Sequence, residues 1–112
     1  MEIKTSEFKH CDLITLSGRL DSSTALSLEK TINEILENGR YNIVVNIKDL
    51  DFISSAGLRV LINTQKTCKK LLNPGEVVLA EVPINIMEAF DLAGFTVLFK
   101  FFDDTLHAVG HF

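Results

Sequence analysis

The fold of this chain is decided by residues 43–59, which read Ile43-Val44-Val45-Asn46-Ile47-Lys48-Asp49-Leu50-Asp51-Phe52-Ile53-Ser54-Ser55-Ala56-Gly57-Leu58-Arg59. The first five residues form an apolar, largely β-branched run that only Asn46 interrupts, which is typical of a strand buried on both faces. Apolar residues then recur at helical spacing, so residues 55–72 are predicted to form a helix. Ser54 and Ser55 therefore lie where a loop enters a helix N-terminus, at which backbone N–H groups lack partners.

Strands and helices alternate on both sides of this stretch. The predicted strands cover residues 2–9, 12–17 (ended by Gly18), 43–47, 77–82 and 96–101. The predicted helices run from an N-cap at Asp21, Ser22 or Ser23 to Glu37, over residues 55–72 with a stop at Asn73-Pro74-Gly75, over residues 84–92, and onward from a cap at Asp103-Asp104-Thr105. The order ββαβαβαβα predicts an α/β fold in which helices pack against a mixed β-sheet. The length predicts one domain over residues 1–112.

Composition narrows the range of partners and locations. The 112 residues are 46% hydrophobic with a mean hydropathy of +0.22, and the formal net charge is −4. We expect neither nucleic acid nor an anionic membrane as a partner, because no run of Lys or Arg is present. The N-terminus lacks a signal-peptide core and no apolar run could span a bilayer, so a cytoplasmic location is expected. Cys11 and Cys68 are expected to be reduced thiols.

The motifs of common catalytic and metal sites are missing from the sequence. A hydrolase elbow needs G-x-S-x-G, and Ile53 occupies the first glycine position if Ser55 is the nucleophile. Of the three histidines, His10 lies in a predicted hairpin turn and His107 and His111 lie near the C-terminus, with no sequence sign of a catalytic triad. His10-Cys11 stand alone without zinc-ligand spacing. No glycine-rich loop could cradle a phosphate. We therefore expect no enzymatic activity, no metal and no cofactor. Asp49 and Asp51 are expected to be solvated acids rather than a catalytic pair.

The two serines have two interpretations on the residues alone. Serine is a common helix N-cap, worth about 1 kcal/mol, and capping alone would explain Ser54 and Ser55. Alternatively, a phosphate on one of these hydroxyls would find N–H donors and a favourable dipole at the helix N-terminus. The small residues Ala56 and Gly57 would leave such a site open to another protein. This second interpretation describes a phosphorylation switch.

Three segments of the chain are informative together: residues 44–58, Gly18-Arg19-Leu20-Asp21 with Thr24-Ala25, and Phe90-Asp91-Leu92-Ala93-Gly94-Phe95. In these segments the chain resembles STAS domains, and within them the bacterial anti-sigma-factor antagonists. It covers essentially the whole chain, in length and in the order of elements.

The resemblance implies a partner switch. The unphosphorylated protein would bind an anti-sigma factor that is also a serine kinase, and the sigma factor would be released. Phosphorylation of Ser55 would end binding, and a serine phosphatase would reset the protein, which is expected to be a monomer or weak dimer. The implied partner-binding residues are Asp21, Ser22, Ser23, Thr24, Ser54, Ser55, Ala56, Gly57, Leu58 and Arg59.

Two departures and two alternatives accompany this implication. Many family members have an aspartate before the phosphoserine, where this chain has Ser54, so Ser54 is the second choice for the modified residue. Arg59 lies one helical turn after Ser55 and would either pair with a phosphate or remain solvated. The same fold could instead serve a pathway without a sigma factor, such as a phosphatase, secretion or stressosome-like circuit. It could also bind a nucleotide or another small ligand.

Overall fold

A computed structural model describes residues 1–70 and 74–112 of the chain. The strands are β1 (Glu2–Glu7), β2 (Asp12–Leu20), β3 (Asn42–Ile53), β4 (Glu76–Ala80) and β5 (Lys100–Phe102). The helices are α1 (Ala25–Glu37), α2 (Ser55–Lys69), α3 (Ile84–Leu92) and α4 (Thr105–Gly110). A 3₁₀ turn, Thr96–Leu98, precedes β5. The predicted order ββαβαβαβα is confirmed.

The sheet is mixed, as predicted, and β3 lies at its centre. Its spatial order is β1-β2-β3-β4-β5; β1 pairs with β2 antiparallel and the remaining pairs are parallel. Residues 43–47 are all buried. The apolar run is buried because a central strand in a sheet covered by helices has no face exposed to water.

Helices cover the two faces of the sheet unequally. One large core joins β2, β3 and β4 to α1, α2 and α3, through side chains such as Leu28, Leu61 and Phe90. A smaller core on the opposite face joins Val44 and Val78 to Ala108 of α4. The site described below lies on the side of the larger core, where α2 begins.

The strands β2 and β3 are longer than predicted. We expected β2 to end at Gly18 and β3 at Ile47, because Gly18 and the acids Asp49 and Asp51 suggest turns. Instead Gly18 adopts φ +92° within β2 and the register with β3 shifts beside it, so the strand bends and continues to Leu20. Continued pairing ends with Leu20 opposite Ile53. Asp49 and Asp51 are exposed strand residues, which alternation permits.

The prediction of a last strand over residues 96–101 was wrong for the first residues of that range. Thr96–Leu98 is a 3₁₀ turn with Val97 exposed, and only Lys100–Phe102 pairs with β4. Short apolar runs do not distinguish a strand from a helical turn. Phe99 and Phe101 pack against the core, since each ring lies edge-on to Phe90, at centroid distances of 5.7 and 5.8 Å.

The ends of α1 and α2 also differ from prediction. The N-cap residue of α1 is Thr24, rather than Asp21, Ser22 or Ser23. Helix α2 begins at Ser55, as predicted, and its C-cap is Lys70. The predicted continuation to Leu72 and the stop at Asn73 lie outside the described residues. No helix within residues 1–70 and 74–112 has both the length and the apolar character needed to cross a membrane.

Candidate functional site

The hydroxyl of Ser54 caps the N-terminus of α2. Ser54 is the N-cap residue with extended backbone, φ −90° and ψ 171°, and its Oγ accepts a hydrogen bond from the Gly57 N–H at 3.2 Å. Its carbonyl accepts the first helical hydrogen bond, from the Leu58 N–H at 3.0 Å. Ser54 therefore has the capping role that sequence reasoning allowed for either serine.

Ser55, by contrast, is exposed. Ser55 is the first residue of α2, and its side chain makes no hydrogen bond to any other residue in the described ranges. The first turn of a helix presents N–H groups and the positive end of the helix dipole to whatever lies there. Within the described ranges the two adjacent serines thus differ in chemistry: Ser54 caps the helix N-terminus, and Ser55 is exposed with no hydrogen-bond partner for its hydroxyl.

Gly57 lets α2 approach the end of β2 closely. A Cβ at position 57 would lie 2.6 Å from Cγ of Leu20 and 3.1 Å from Cγ1 of Ile53. The backbone of the junction is fixed as well, because the Ser54 N–H donates to the Leu20 carbonyl at 2.8 Å. The segment 54–59 therefore adjoins the segment 21–24, as the predicted partner-binding surface requires.

The segment 21–24 is a tight polar loop organised by Asp21. Oδ1 of Asp21 accepts from the Ser23 hydroxyl at 2.7 Å, the Ser23 N–H at 3.0 Å and the Thr24 N–H at 3.1 Å. Thr24 Oγ1 donates to the Arg19 carbonyl at 2.8 Å. The hydrogen bond from the Ser23 hydroxyl, with help from the Thr24 N–H, lowers the pKa of Asp21 to about 2. This carboxylate is consequently charged throughout the physiological range.

The predicted partner-binding residues are gathered at one end of the sheet, but they are not equally available. Ser22, Ser23, Ser55 and Arg59 are exposed. The remainder are half-buried or buried: Asp21, Thr24, Ser54 and Ala56 in the first group, and Gly57 and Leu58 in the second. The buried members position the helix and contribute little surface to a partner.

Sequence reasoning missed two features beside this surface. The Arg19 guanidinium lies 4.3 Å from the ring centroid of Phe52, a cation–π contact between β2 and β3. A groove of ≈ 430 Å³ begins at Ser55 and is lined by Arg59, Lys66 and Phe95 among others. The helical spacing of the α2 cations was visible in the sequence, but the approach of Phe95 depends on the tertiary fold.

The histidines lie away from the serines. His107 contacts the Asp104 carboxylate at 2.8 Å, and His111 contacts Glu76 at 2.5 Å. Within the described ranges, neither Ser54 nor Ser55 hydrogen-bonds to a histidine, and no group of three potential metal ligands occurs. The part of the chain that the structure describes therefore does not contain the triad geometry that a serine nucleophile would need.

Comparison with known proteins identifies the family. The family model described as the STAS domain matches residues 2–108. This chain is a STAS domain. A relative from Bordetella bronchiseptica, BtrV, named as a candidate anti-sigma factor antagonist, is 34% identical over 84 residues, which are 75% of this chain and 71% of BtrV. The expected membership in the antagonist branch of the STAS family is therefore confirmed.

Solved structures share the fold of this STAS domain. A candidate anti-sigma factor antagonist from Thermotoga maritima matches with a TM-score of 0.89 and 18% identity, covering 97% of this chain and 92% of its own. The anti-sigma factor antagonist SpoIIAA in its unphosphorylated form matches with a TM-score of 0.77 and 16% identity, covering 98% and 96%. Bacillus SpoIIAA in its phosphorylated form also has a TM-score of 0.77, with 15% identity and 98% coverage of both chains. At these identities the likeness shows the fold.

Proposed function

We propose that this STAS domain is an anti-sigma-factor antagonist switched by phosphorylation of Ser55. The unphosphorylated form binds an anti-sigma factor that is also a serine kinase, and the sigma factor is released. The kinase then transfers the γ-phosphoryl group of ATP to Oγ of Ser55, leaving ADP, and the antagonist dissociates. The observation that carries this proposal is the unequal use of the two serines: the Ser54 hydroxyl accepts from the Gly57 N–H, whereas the Ser55 side chain hydrogen-bonds to no other residue within 1–70 and 74–112.

The site's electrostatics support a switch at the surface rather than a change of fold. A phosphoserine carries about −1.5 to −2 charges at neutral pH, and the α2 N-terminus offers it N–H donors. Within a packed interface the same charge adds a desolvation cost, and it adds to the negative charge of the ionised Asp21 carboxylate in the adjoining segment 21–24. A loss of roughly 3 kcal/mol would weaken binding by more than a hundredfold.

Further parts of the proposal follow from the family and the sequence. The chain acts as one regulatory domain without catalytic activity of its own, in the cytoplasm, as a monomer or weak dimer. A serine phosphatase removes the phosphate and restores binding. The relatives named as anti-sigma factor antagonists support the anti-sigma factor as the partner.

The matched variants Ser54→Ala and Ser55→Ala test the proposal. With the cognate anti-sigma kinase and ATP, we expect Ser55→Ala to bind the kinase but to accept no phosphate. Ser54→Ala should accept one phosphate, although loss of the N-cap lowers its free energy of unfolding by about 1 kcal/mol. Ser55→Asp should bind more weakly than wild type. Isothermal titration calorimetry and intact mass spectrometry provide the two readouts. Stoichiometric phosphorylation of Ser55→Ala, or tight binding of the anti-sigma kinase by the phosphorylated wild type, would contradict the proposal.

A further inference from the structure

The exposed side of α2 forms one wall of a long groove that begins at Ser55. The groove consists of two adjoining depressions of ≈ 430 and ≈ 320 Å³, which share Ile62 and Lys66. Its other wall is the segment after α3, which contributes Phe95 to the first depression and Val97 to the second. We call this feature the α2 groove. It extends the proposed interface beyond the residues that the family resemblance implies.

The charge of the α2 groove is opposite to that of the chain. Four cationic side chains line it, namely Arg59, Lys66, Lys69 and Lys70, and among the residues that the structure describes none of those lining it is acidic. These are four of the 11 Lys and Arg residues in a chain of net charge −4. The concentration of one sign on one helix face gives this surface a field that selects for anionic partners.

Apolar side chains lie between and opposite these cations. Ile62 lies in the groove floor with only 7% of its surface exposed, whereas Val97, on the opposite wall, is 87% exposed. Leu98 beside it is 38% exposed. An exposed apolar strip flanked by charges of one sign is a binding surface for an amphipathic segment with the opposite charge.

We infer that the α2 groove binds an acidic amphipathic segment of the anti-sigma kinase, which places apolar side chains against Val97 and Leu98 and carboxylates beside Lys66 and Lys69. The inference rests on the proposed function, because it takes the partner from there. It deepens that function by assigning part of the affinity to a surface that extends from the switch serine along α2 to Lys69 and Lys70. Electrostatic attraction of this kind raises the association rate and is sensitive to salt.

Arg59 links the α2 groove to the switch. It lies one helical turn after Ser55, so both residues share a face of α2, and both line the first depression. A phosphate on Ser55 would therefore compete with the partner's carboxylates for Arg59. Phosphorylation would therefore remove Arg59 from the partner-binding residues at the Ser55 end of the groove.

A charge-reversal pair tests the groove. We expect the double variant Lys66→Glu and Lys69→Glu to bind the cognate anti-sigma kinase about tenfold or more weakly at low salt, with most of the difference lost at high salt. The control is Lys9→Glu with Lys30→Glu, which changes the net charge equally at exposed positions outside the groove. It should bind within about twofold of wild type. Val97→Asp should also weaken binding, by adding an acidic group to the apolar wall.

The folding of each lysine variant and the phosphorylation of its Ser55 are measured on the samples used for binding. Since acidic residues near a helix C-terminus oppose its dipole, the neutral variant Lys66→Gln with Lys69→Gln provides a second measurement that does not depend on the reversed variant folding. It should bind about threefold to tenfold more weakly than wild type.

Three outcomes would overturn the inference. If every variant binds like wild type and Ser55 is still phosphorylated, the groove assignment is wrong and the proposed function stands. If the lysine variants change only self-association in analytical ultracentrifugation, the groove belongs to a second copy of this chain. If wild type binds no anti-sigma kinase, the proposed function and the groove assignment both fail.

Discussion

Replacing Gly57 with alanine tests the close approach that places Ser55 at the edge of the proposed interface. An ideal Cβ at this position would lie 2.6 Å from Cγ and 2.9 Å from Cδ2 of Leu20, and 3.1 Å from Cγ1 of Ile53. Leu20 has no exposed surface and cannot swing into solvent. Either Leu20 or the first turn of α2 must therefore move by on the order of 1 Å to restore ordinary van der Waals contact.

Two opposing contributions set the magnitude. Overpacking of a well-packed core costs about 1–3 kcal/mol, and a contact as short as 2.6 Å places this case in the upper part of that range. Alanine recovers about 1 kcal/mol relative to glycine within a helix. We expect Gly57→Ala to lower the free energy of unfolding by about 1–2 kcal/mol, which corresponds to a decrease of roughly 4–8 °C in Tm.

The assay compares two helical glycines. Thermal and urea unfolding should be measured for Gly57→Ala and for Gly110→Ala, because a Cβ at position 110 has no neighbour within 4 Å. The control should be neutral or stabilised by up to about 1 kcal/mol. If Gly57→Ala is as stable as wild type, or as stable as the control, the close packing of α2 against Leu20 is refuted.

Three further predictions concern the interior and the loop beside the site. Gln65→Leu should lower the free energy of unfolding by about 2–4 kcal/mol in urea titrations. The buried Gln65 amide accepts a hydrogen bond from the Val77 N–H at 2.7 Å and donates to the carbonyls of Val77 at 3.0 Å and Leu98 at 2.7 Å, so leucine would leave these groups unpaired. An unchanged unfolding midpoint would contradict these hydrogen bonds. The pKa of Asp21, about 2 against an ordinary 3.8, is held down first by the Ser23 hydroxyl, so its contribution to stability is complete above pH ~4 and is lost as pH falls towards 2. Ser23→Ala should raise the pKa of Asp21 in a carbon-13 NMR titration, and no change would refute that cause. Burial raises the pKa of the Cys68 thiol to about 11, so it should react with Ellman's reagent only on unfolding; prompt reaction in the native protein would contradict its burial.

The sequence was sufficient for the elements whose periodicity is strong. Residues 43–47 predicted a central strand because β-branched side chains without polar alternation need cover on both faces. Helix α3 was predicted at Ile84–Leu92 and lies there. The start of α2 at Ser55 followed from its helical spacing and from a serine before it.

The errors arose where tertiary pairing overrides local signals. Gly18 suggested the end of β2, but pairing with β3 carries the strand through the glycine to Leu20. The Asp49-Leu50-Asp51 pattern suggested a turn, although it equally fits a strand with one exposed face. Thr96–Leu98 has strand-like residues in a 3₁₀ turn that follows the reversal at Gly94.

The candidate site could be predicted only in part, because sequence spacing does not show hydrogen bonds or tertiary contacts. Motif and spacing located both serines, but only geometry distinguishes the Ser54 hydroxyl, which accepts from the Gly57 N–H, from that of Ser55. The α2 groove could not be predicted, because its two walls come from segments about 30 residues apart along the chain.

The central claim is that Ser55 is the phosphoacceptor, and the most direct measurement is localisation of phosphate on the wild-type protein. The chain should be incubated with its cognate anti-sigma kinase and ATP, digested, and mapped by peptide mass spectrometry. The account predicts one phosphate, on Ser55, and loss of kinase binding in the phosphorylated fraction. Phosphate on Ser54 would contradict the assignment based on the capping hydrogen bond, and no phosphate despite tight binding would contradict the switch itself.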